Sequence, residues 1–449
     1  MDGLFPSDEQ LGLLTDLYEL TMAAGYYVQG MARWPATFEL WVRRLPGCRR
    51  YLVTAGLEQA VHYLTHLHFT AQEIAYLRAH PSFAHVPQSW FDYLRTLRFE
   101  GDVWAVPEGT VVFAGEPLVR IEAPLDVAQI VETYLLTTLS MQTMVASKAA
   151  RIVWAAQGRG VVDFGSRRAH GPQAGLLAAR ASFIAGCSGT SNVEAARRLG
   201  IPAVGTQAHS WIMAHDDETE AFRRFGTVFP QACTLLIDTY DTLTGVRHAL
   251  ASGVPFQAVR LDSGDLLTLS RAVRCILDEA GRTDARIVAS GDLNEYRIAE
   301  LVRAGAPIDL FGVGTEMVTS RDDPTLGVVY KLVAIDTPHG HAGRFKLSPE
   351  KRTYPHAKQV YRQRDAQGQF LGDRIALATE PPPDTGNWQP LLVPVMRQGQ
   401  VVYPWPDLHA VQRYCQHQLA ELPEQYKHLQ GDEVYPVEIS TALQTSVPS

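Results

Sequence analysis

Between residues 160 and 316 one pattern recurs six times: a short apolar run stops abruptly in glycine or polar residues, and a stretch of helical periodicity follows. The runs are Val161-Val-Asp-Phe, Pro202-Ala-Val-Gly, Thr234-Leu-Leu-Ile, Ala258-Val-Arg-Leu, Arg286-Ile-Val-Ala and Asp309-Leu-Phe-Gly. Their spacing suits the strand-helix units of a parallel sheet. In the helix after the fourth run, Leu269, Ala272, Val273, Ile276 and Ala280 make one apolar face, and Gly281 stops it. The next helix starts at the N-cap Asn294, buries Ile298, Leu301 and Val302, and ends at Gly305. The flanks read differently. Residues 10–100 are helix-rich apart from a strand-like alternation at Thr37–Val42, residues 101–123 read as short strands broken by turns, and 126–157 is helical again. Beyond 335 the chain is irregular, with a helix expected over 407–425 and a loose final ten residues.

In a β/α barrel the residues just past the strand ends converge on one rim. Here they are Asp, Arg, His, Ser, Gly and Thr throughout, which points to a polar site. Ser290-Gly291-Asp292 and Gly312-Val-Gly314-Thr315 close the last two runs. Backbone N–H groups there, with helix N-termini beyond, make an anion cradle at the usual phosphate position, although tight turns would explain either alone. Arg167 and Arg168 follow the first run and Arg260 lies within the fourth; a guanidinium fork suits carboxylate or phosphate. Asp262, Asp265, Asp241 and Asp292 offer carboxylates to Mg²⁺, with helix capping the plainer role for Asp265. His209, followed by Ser210, is the one histidine at a strand end with a hydroxyl next to it. Imidazole can accept a phosphoryl group covalently, but a satisfied structural histidine is commoner, and the residues alone leave both open.

Composition narrows the classes. A chain of 449 residues with 46% hydrophobic and 20% charged residues can bury a sizeable core and exceeds one ordinary domain. A formal charge of −8 argues against a nucleic-acid-coating surface. The five cysteines are scattered without metal-ligand spacing, which predicts reduced thiols. No signal-peptide pattern opens the sequence and no apolar run reaches the ~18 residues of a spanning helix, so a cytoplasmic protein without a membrane partner is expected.

Leu13-Leu-Thr-Asp16-Leu-Tyr18, Asp163-Phe164-Gly-Ser-Arg167-Arg168-Ala-His170-Gly, Gly205-Thr-Gln-Ala-His209-Ser210, Arg260-Leu-Asp262-Ser-Gly and Phe311-Gly-Val-Gly314-Thr315 together resemble the nicotinate phosphoribosyltransferases. The resemblance covers residues from about 13 to 360. It implies an α/β protein: an incomplete, irregular β/α barrel over 136–335, and an α/β domain built from 1–135 and 336–449. It further implies a homodimer with shared active sites, acting on nicotinate and phosphoribosyl pyrophosphate with Mg²⁺ and with ATP as co-substrate. Nicotinate would stack between Phe164 and Tyr18 of the other subunit, near Arg167, Ser191 and Ser210. His209 would be phosphorylated by ATP, with Arg260 and Asp262 completing the catalytic group and Asp262 holding Mg²⁺. Arg168, Asp241, Ser290, Gly291, Asp292, Gly312, Gly314 and Thr315 would hold the phosphoribosyl part. The relative that uses the amide has an aspartate where this chain has Ser191; a carboxylate ligand would be repelled by it, so serine favours nicotinate. Two departures are visible: Pro355-His356 replaces the usual Pro-Gly, and the cysteine-rich insert of some relatives is lacking. The rival expectations are nicotinamide or quinolinate phosphoribosyltransferase, a Mg²⁺-dependent barrel lyase with a phosphate handle, and an inactive binding protein.

Overall fold

Five of the six apolar runs become strands of one parallel sheet. They are β1 (Gly160–Asp163), β3 (Thr234–Leu236), β4 (Ala258–Leu261), β5 (Arg286–Ala289) and β6 (Leu310–Val313), joined by a sixth, β2 (Gly189–Thr190). The order is β2-β1-β6-β5-β4-β3 with every pairing parallel. The sheet curls as an incomplete barrel, its ladder running from β2 to β3 without closing among the described residues. Continuous rather than alternating apolar runs suit such strands, because helices cover one face and side chains fill the other; all four residues of β4 are buried. The run expected at Pro202 is not a strand. Pro202 has no N–H to give a ladder, and the segment makes only one bridge, Thr190 to Ala203. That bridge is held by Thr190 N–H to Pro202 O at 3.0 Å and Val204 N–H to Thr190 O at 2.9 Å.

This computed structural model describes residues 10–346 and 353–447. One unit comprises Met144–Pro324 and Leu408–Gln416, the other Met1–Thr143, Thr325–Asp407 and His417–Ser449. The first boundary falls between Thr143 and Met144, in the same long helix Glu132–Ala155 that contains residue 135, and nothing in the sequence pattern foreshadowed that 408–416 belongs with the barrel. Helix Leu266–Glu279 is capped by Asp265, whose carboxylate accepts from Leu267 N–H at 3.2 Å. Its buried line is Leu266, Ser270, Val273 and Leu277, with the expected Leu269, Ala272 and Ile276 only half-buried beside it and Ala280 exposed. Asn294 caps Glu295–Arg303 as expected, accepting from Arg297 N–H at 2.9 Å.

The other unit is built on a seven-stranded antiparallel-paired sheet in which Pro35–Val42 lies between Val328–Thr337 and Pro117–Pro124. Phe38, Leu40 and Val42 on that central strand are buried in the unit's apolar core. A four-stranded sheet carries Lys358–Arg364 against Phe370–Leu377. There Arg362 is fully buried: it donates to Asp373 at 2.6 and 2.9 Å, and its guanidinium carbon stands 4.3 Å from the Phe370 ring centroid. His356, at the Pro-His departure noted in the sequence, takes φ +65°, the left-handed backbone that glycine favours. Lys351 and Arg352 of the same stretch lie outside the described residues. The chain end is more ordered than expected: Ser440 caps a short helix Thr441–Thr445 that buries Leu443. Among the described residues no helix is long and apolar enough to cross a membrane, and all five cysteines are free thiols.

Removing one member of a buried ion pair leaves the other charge stranded. Arg362→Ala is therefore expected to destabilise the fold by about 3–5 kcal/mol, read by urea unfolding, whereas a loss within about 1 kcal/mol would show that Asp373 relaxes to water.

Candidate functional site

Arg260 projects from the interior of β4 and is almost fully buried. Its Nε donates to Ser290 Oγ at 2.8 Å, one terminal nitrogen to Thr206 Oγ1 at 2.7 Å and Gln207 O at 3.2 Å, and the other to Asp262 Oδ1 at 2.6 Å. The Ser290 hydroxyl donates in turn to Asp262 Oδ1 at 2.5 Å. Burial pushes the Asp262 carboxyl up, but the Ser290 hydrogen bond and the Arg260 charge outweigh it, and the net shift is downward. Asp262 therefore stays ionised. Its backbone N–H is held by Asp238 Oδ2 at 2.8 Å, which also accepts from Ser263 Oγ at 2.8 Å. His209 opens a short helix, with Nε2 3.7 Å from Asp262 Oδ2 and Nδ1 3.1 Å from Thr239 Oγ1.

The β1 rim is set by Asp163, fully buried at the strand end. It accepts from Gly165 N–H at 2.8 Å and Thr190 Oγ1 at 2.7 Å, and its carbonyl accepts from Ser191 N–H at 2.8 Å. Burial raises its carboxyl pKa against those two side-chain bonds. Phe164 follows, its ring lying against Gly312, where an added Cβ would stand 2.4 Å from the ring. The Arg260 guanidinium carbon is 5.7 Å from the same ring centroid. Gly291 has φ +92°, and a Cβ there would reach 2.0 Å from Asp262 O. Both glycines are thus forced by close approach.

Two cavities open on this rim and share Phe164, Arg167, Arg260 and Asp262. One, of about 220 Å³, is lined beyond those by Arg168, Ser290, Gly291, Asp292, Leu293, Gly312, Gly314, Thr315 and Glu316. The other, of about 340 Å³, is completed by Ser191, the 205–209 segment and Leu236. Arginines, glycine-exposed backbone and the hydroxyls of Ser290 and Thr315 suit the first lobe to an anion, with Asp262, Asp292 and Glu316 also in its lining. The second offers an aromatic face, two arginines and a neutral serine to a flat ligand with a negative edge.

Of the residues singled out from sequence, three on this unit are not brought to either lobe: Asp265, the helix cap described above, Asp241 and Ser210. Asp241 is the N-cap of helix Thr242–Ala251, accepting from Thr244 N–H at 2.8 Å on the exposed surface. Ser210 is exposed beside His209 and lines neither cavity. Sequence reasoning passed over Asp238, Asp163 and Gln207. The signal was available for the aspartates: Asp238 stands just beyond β3 as Asp262 stands beyond β4, and Asp163 is the last residue of β1.

Tyr18 belongs to the other unit and is half exposed on helix Leu17–Val28. Burial, then the Glu132, Glu19 and Asp16 carboxylates, push its phenol pKa up. Beside it Glu19 is buried, accepting from Thr133 Oγ1 at 2.9 Å and from the Thr15 hydroxyl. Burial raises its carboxyl from 4.5 to about 7 despite those bonds. Between these values the folded chain holds a proton that the unfolded chain has released, so stability falls as pH rises through that window. Glu19→Gln removes this slope: its stability relative to the parent should rise from about pH 5 to about pH 8 in denaturant titrations. A difference that stays flat with pH would mean Glu19 is ionised throughout.

The same geometry has relatives. The model of the nicotinate phosphoribosyltransferase (NAPRTase) N-terminal domain matches residues 13–140, that of the nicotinate phosphoribosyltransferase (NAPRTase) family 160–342, and that of the C-terminal domain 387–447. A nicotinate phosphoribosyltransferase of Mycobacterium tuberculosis is 45% identical over 96% of this chain and 92% of its own. One of Bacillus subtilis is 40% identical over 96% and 94%. The crystal structure of human nicotinic acid phosphoribosyltransferase aligns with a TM-score of 0.86 at 29% identity, covering 96% of this chain and 99% of that one.

Proposed function

This chain belongs to the nicotinate phosphoribosyltransferase family, and on that premise we propose that it joins nicotinate to phosphoribosyl pyrophosphate, with ATP hydrolysis, on the route to NAD. The observation that carries the reading is the pair of lobes meeting at Phe164, Arg167, Arg260 and Asp262. The 5′-phosphate sits in the arginine-and-glycine lobe and the pyridine ring lies on Phe164 in the other. C1 of the ribose then falls between them, beside Asp262. As the C1–oxygen bond to pyrophosphate breaks and the pyridine nitrogen bonds to C1, positive charge develops on the sugar. An ionised carboxylate fixed by Arg260 and Ser290 is preorganised to stabilise it. Neutral Ser191 with Arg167 favours a carboxylate over an amide on the ring.

Mg²⁺ when bound would neutralise the pyrophosphate as it leaves. The residues fit it: Asp238 Oδ1 is buried without a hydrogen-bond partner next to Asp262, giving hard oxygen donors on adjacent strands. Among the described residues no group of three His, Cys, Asp or Glu gathers around a common point; Asp238 and Asp262 would hold the ion together with oxygens of the diphosphate. His209, about two-fifths exposed and braced by Thr239, is open to phosphorylation by ATP. Exposed Leu17, Tyr18 and Met22 on one helix, and exposed Val193, Met213 and Tyr240 beyond the barrel strands, support a homodimer in which the partner subunit covers each site. Five free thiols suit the cytoplasm.

Product formation from each base, with and without ATP, in the parent and in His209→Ala, tests this reading. Nicotinate is expected to be converted in preference to nicotinamide, with ATP stimulating the parent and not the variant. Equal use of nicotinamide would remove Ser191 as the selector; no product from either base would overturn the reading as a whole.

A further inference from the structure

Three carboxylates line the phosphate lobe, and of these Asp262 is paired with Arg260, which leaves Glu316 to be considered on the side of Gly314 and Thr315. Glu316 lines it directly after Gly314 and Thr315, and an unneutralised carboxylate there would repel a phosphate across a poorly solvated gap. Behind it lies Lys148, 1% exposed, on the helix Glu132–Ala155. Its ammonium is 3.7 Å from Glu316 Oε2, 2.7 Å from Glu295 Oε2 and 2.9 Å from Asp322 Oδ1. Arg151, one turn along the helix, donates to Glu295 Oε1 at 3.0 Å, and Arg321 reaches Glu316 Oε1 at 3.4 Å from the solvent side. The cations Lys148, Arg151 and Arg321 thus balance the carboxylates Glu295, Glu316 and Asp322.

Both arms of the cradle end in this network. Glu295 is the first residue of the helix that follows the Ser290-Gly291-Asp292 turn, and Glu316 follows Gly314-Thr315. The single ammonium of Lys148 touches both. We propose that Lys148 is a positioning residue for the transfer: it ties the two phosphate-binding turns together and neutralises Glu316, so that the lobe accepts the phosphate of the phosphoribosyl substrate. This rests on the functional reading above, since it takes that phosphate as the lobe's ligand. A purely structural ion network would hold the fold equally but would not make phosphate affinity depend on the charge of Glu316.

The test is substrate affinity in Lys148→Met, in Lys148→Met/Glu316→Gln, and in Arg321→Ala, an exposed change that keeps the buried pairs should Lys148→Met fail to fold. Binding of phosphoribosyl pyrophosphate is read by calorimetry, and KM for each substrate by product formation. Lys148→Met is expected to weaken phosphoribosyl pyrophosphate binding by about tenfold or more, with KM for nicotinate within about twofold. The double variant should regain most of that affinity because the repelling charge has gone. Arg321→Ala should weaken binding by about two- to threefold. Equal losses for both substrates without recovery in the double variant, or an Arg321→Ala protein that binds like the parent when Lys148→Met does not fold, would overturn the proposal. A parent that binds phosphoribosyl pyrophosphate but forms no nicotinate mononucleotide would break the functional reading and leave the calorimetric comparison to decide this one; a parent that does not bind it would overturn both.

Discussion

A guanidinium buried inside a parallel strand has to be satisfied on every side, and Arg260 meets that constraint by recruiting its neighbours. Its donors go to Thr206 and Gln207 on one flank, Ser290 on the other, and Asp262 in front. The Phe164 ring stands within reach of its π-face. Three strand ends and the irregular segment that carries Thr206 and Gln207 are therefore registered by one side chain. Asp262 gains from the same arrangement: the proton of Ser290 and the charge of Arg260 keep it ionised although it is partly desolvated.

Around that knot the site is shaped by absent side chains as much as by present ones. Gly312 lets the Phe164 ring lie on the sheet, and Gly291 lets its turn pass over the Asp262 carbonyl. The cost of such close packing is that backbone and carboxylates crowd a place meant for anions. The chain answers with paired charges behind the lobe, where Lys148 meets Glu295, Glu316 and Asp322. Under the proposed function, catalytic geometry and buried electrostatics are one problem: the turns proposed to present N–H groups to phosphate are the turns that carry the acids.

Much of this was legible in the sequence because parallel strands announce themselves as apolar runs that end in polar residues. That rule located Arg260, Asp262, Ser290, Gly291 and Gly314, all of which line the two lobes. It failed at Pro202, which has no N–H to give a ladder and whose run makes a single bridge, and at Gly189–Thr190, a strand too short to leave a pattern. It chose Asp241 in the segment after β3 when Asp238 is the residue turned toward Asp262, because a helix-capping aspartate and a rim aspartate look alike in one dimension. Ser210 was expected on the ligand for its hydroxyl, but a helix begun at His209 turns the next residue outward. The role of Lys148 leaves no local trace: it sits in a helix of ordinary composition, and its partners are remote in sequence.

The central claim is that one cleft holds the pyridine ring and the 5′-phosphate on opposite sides of Asp262. A crystal structure of the chain with nicotinate mononucleotide tests it most directly. The account predicts the ring flat on Phe164 with its carboxylate toward Arg167 and Ser191, and the phosphate against Gly291, Gly314 and Thr315. A nucleotide bound with its phosphate beside His209 and Ser191, and its ring in the glycine-lined lobe, would contradict it.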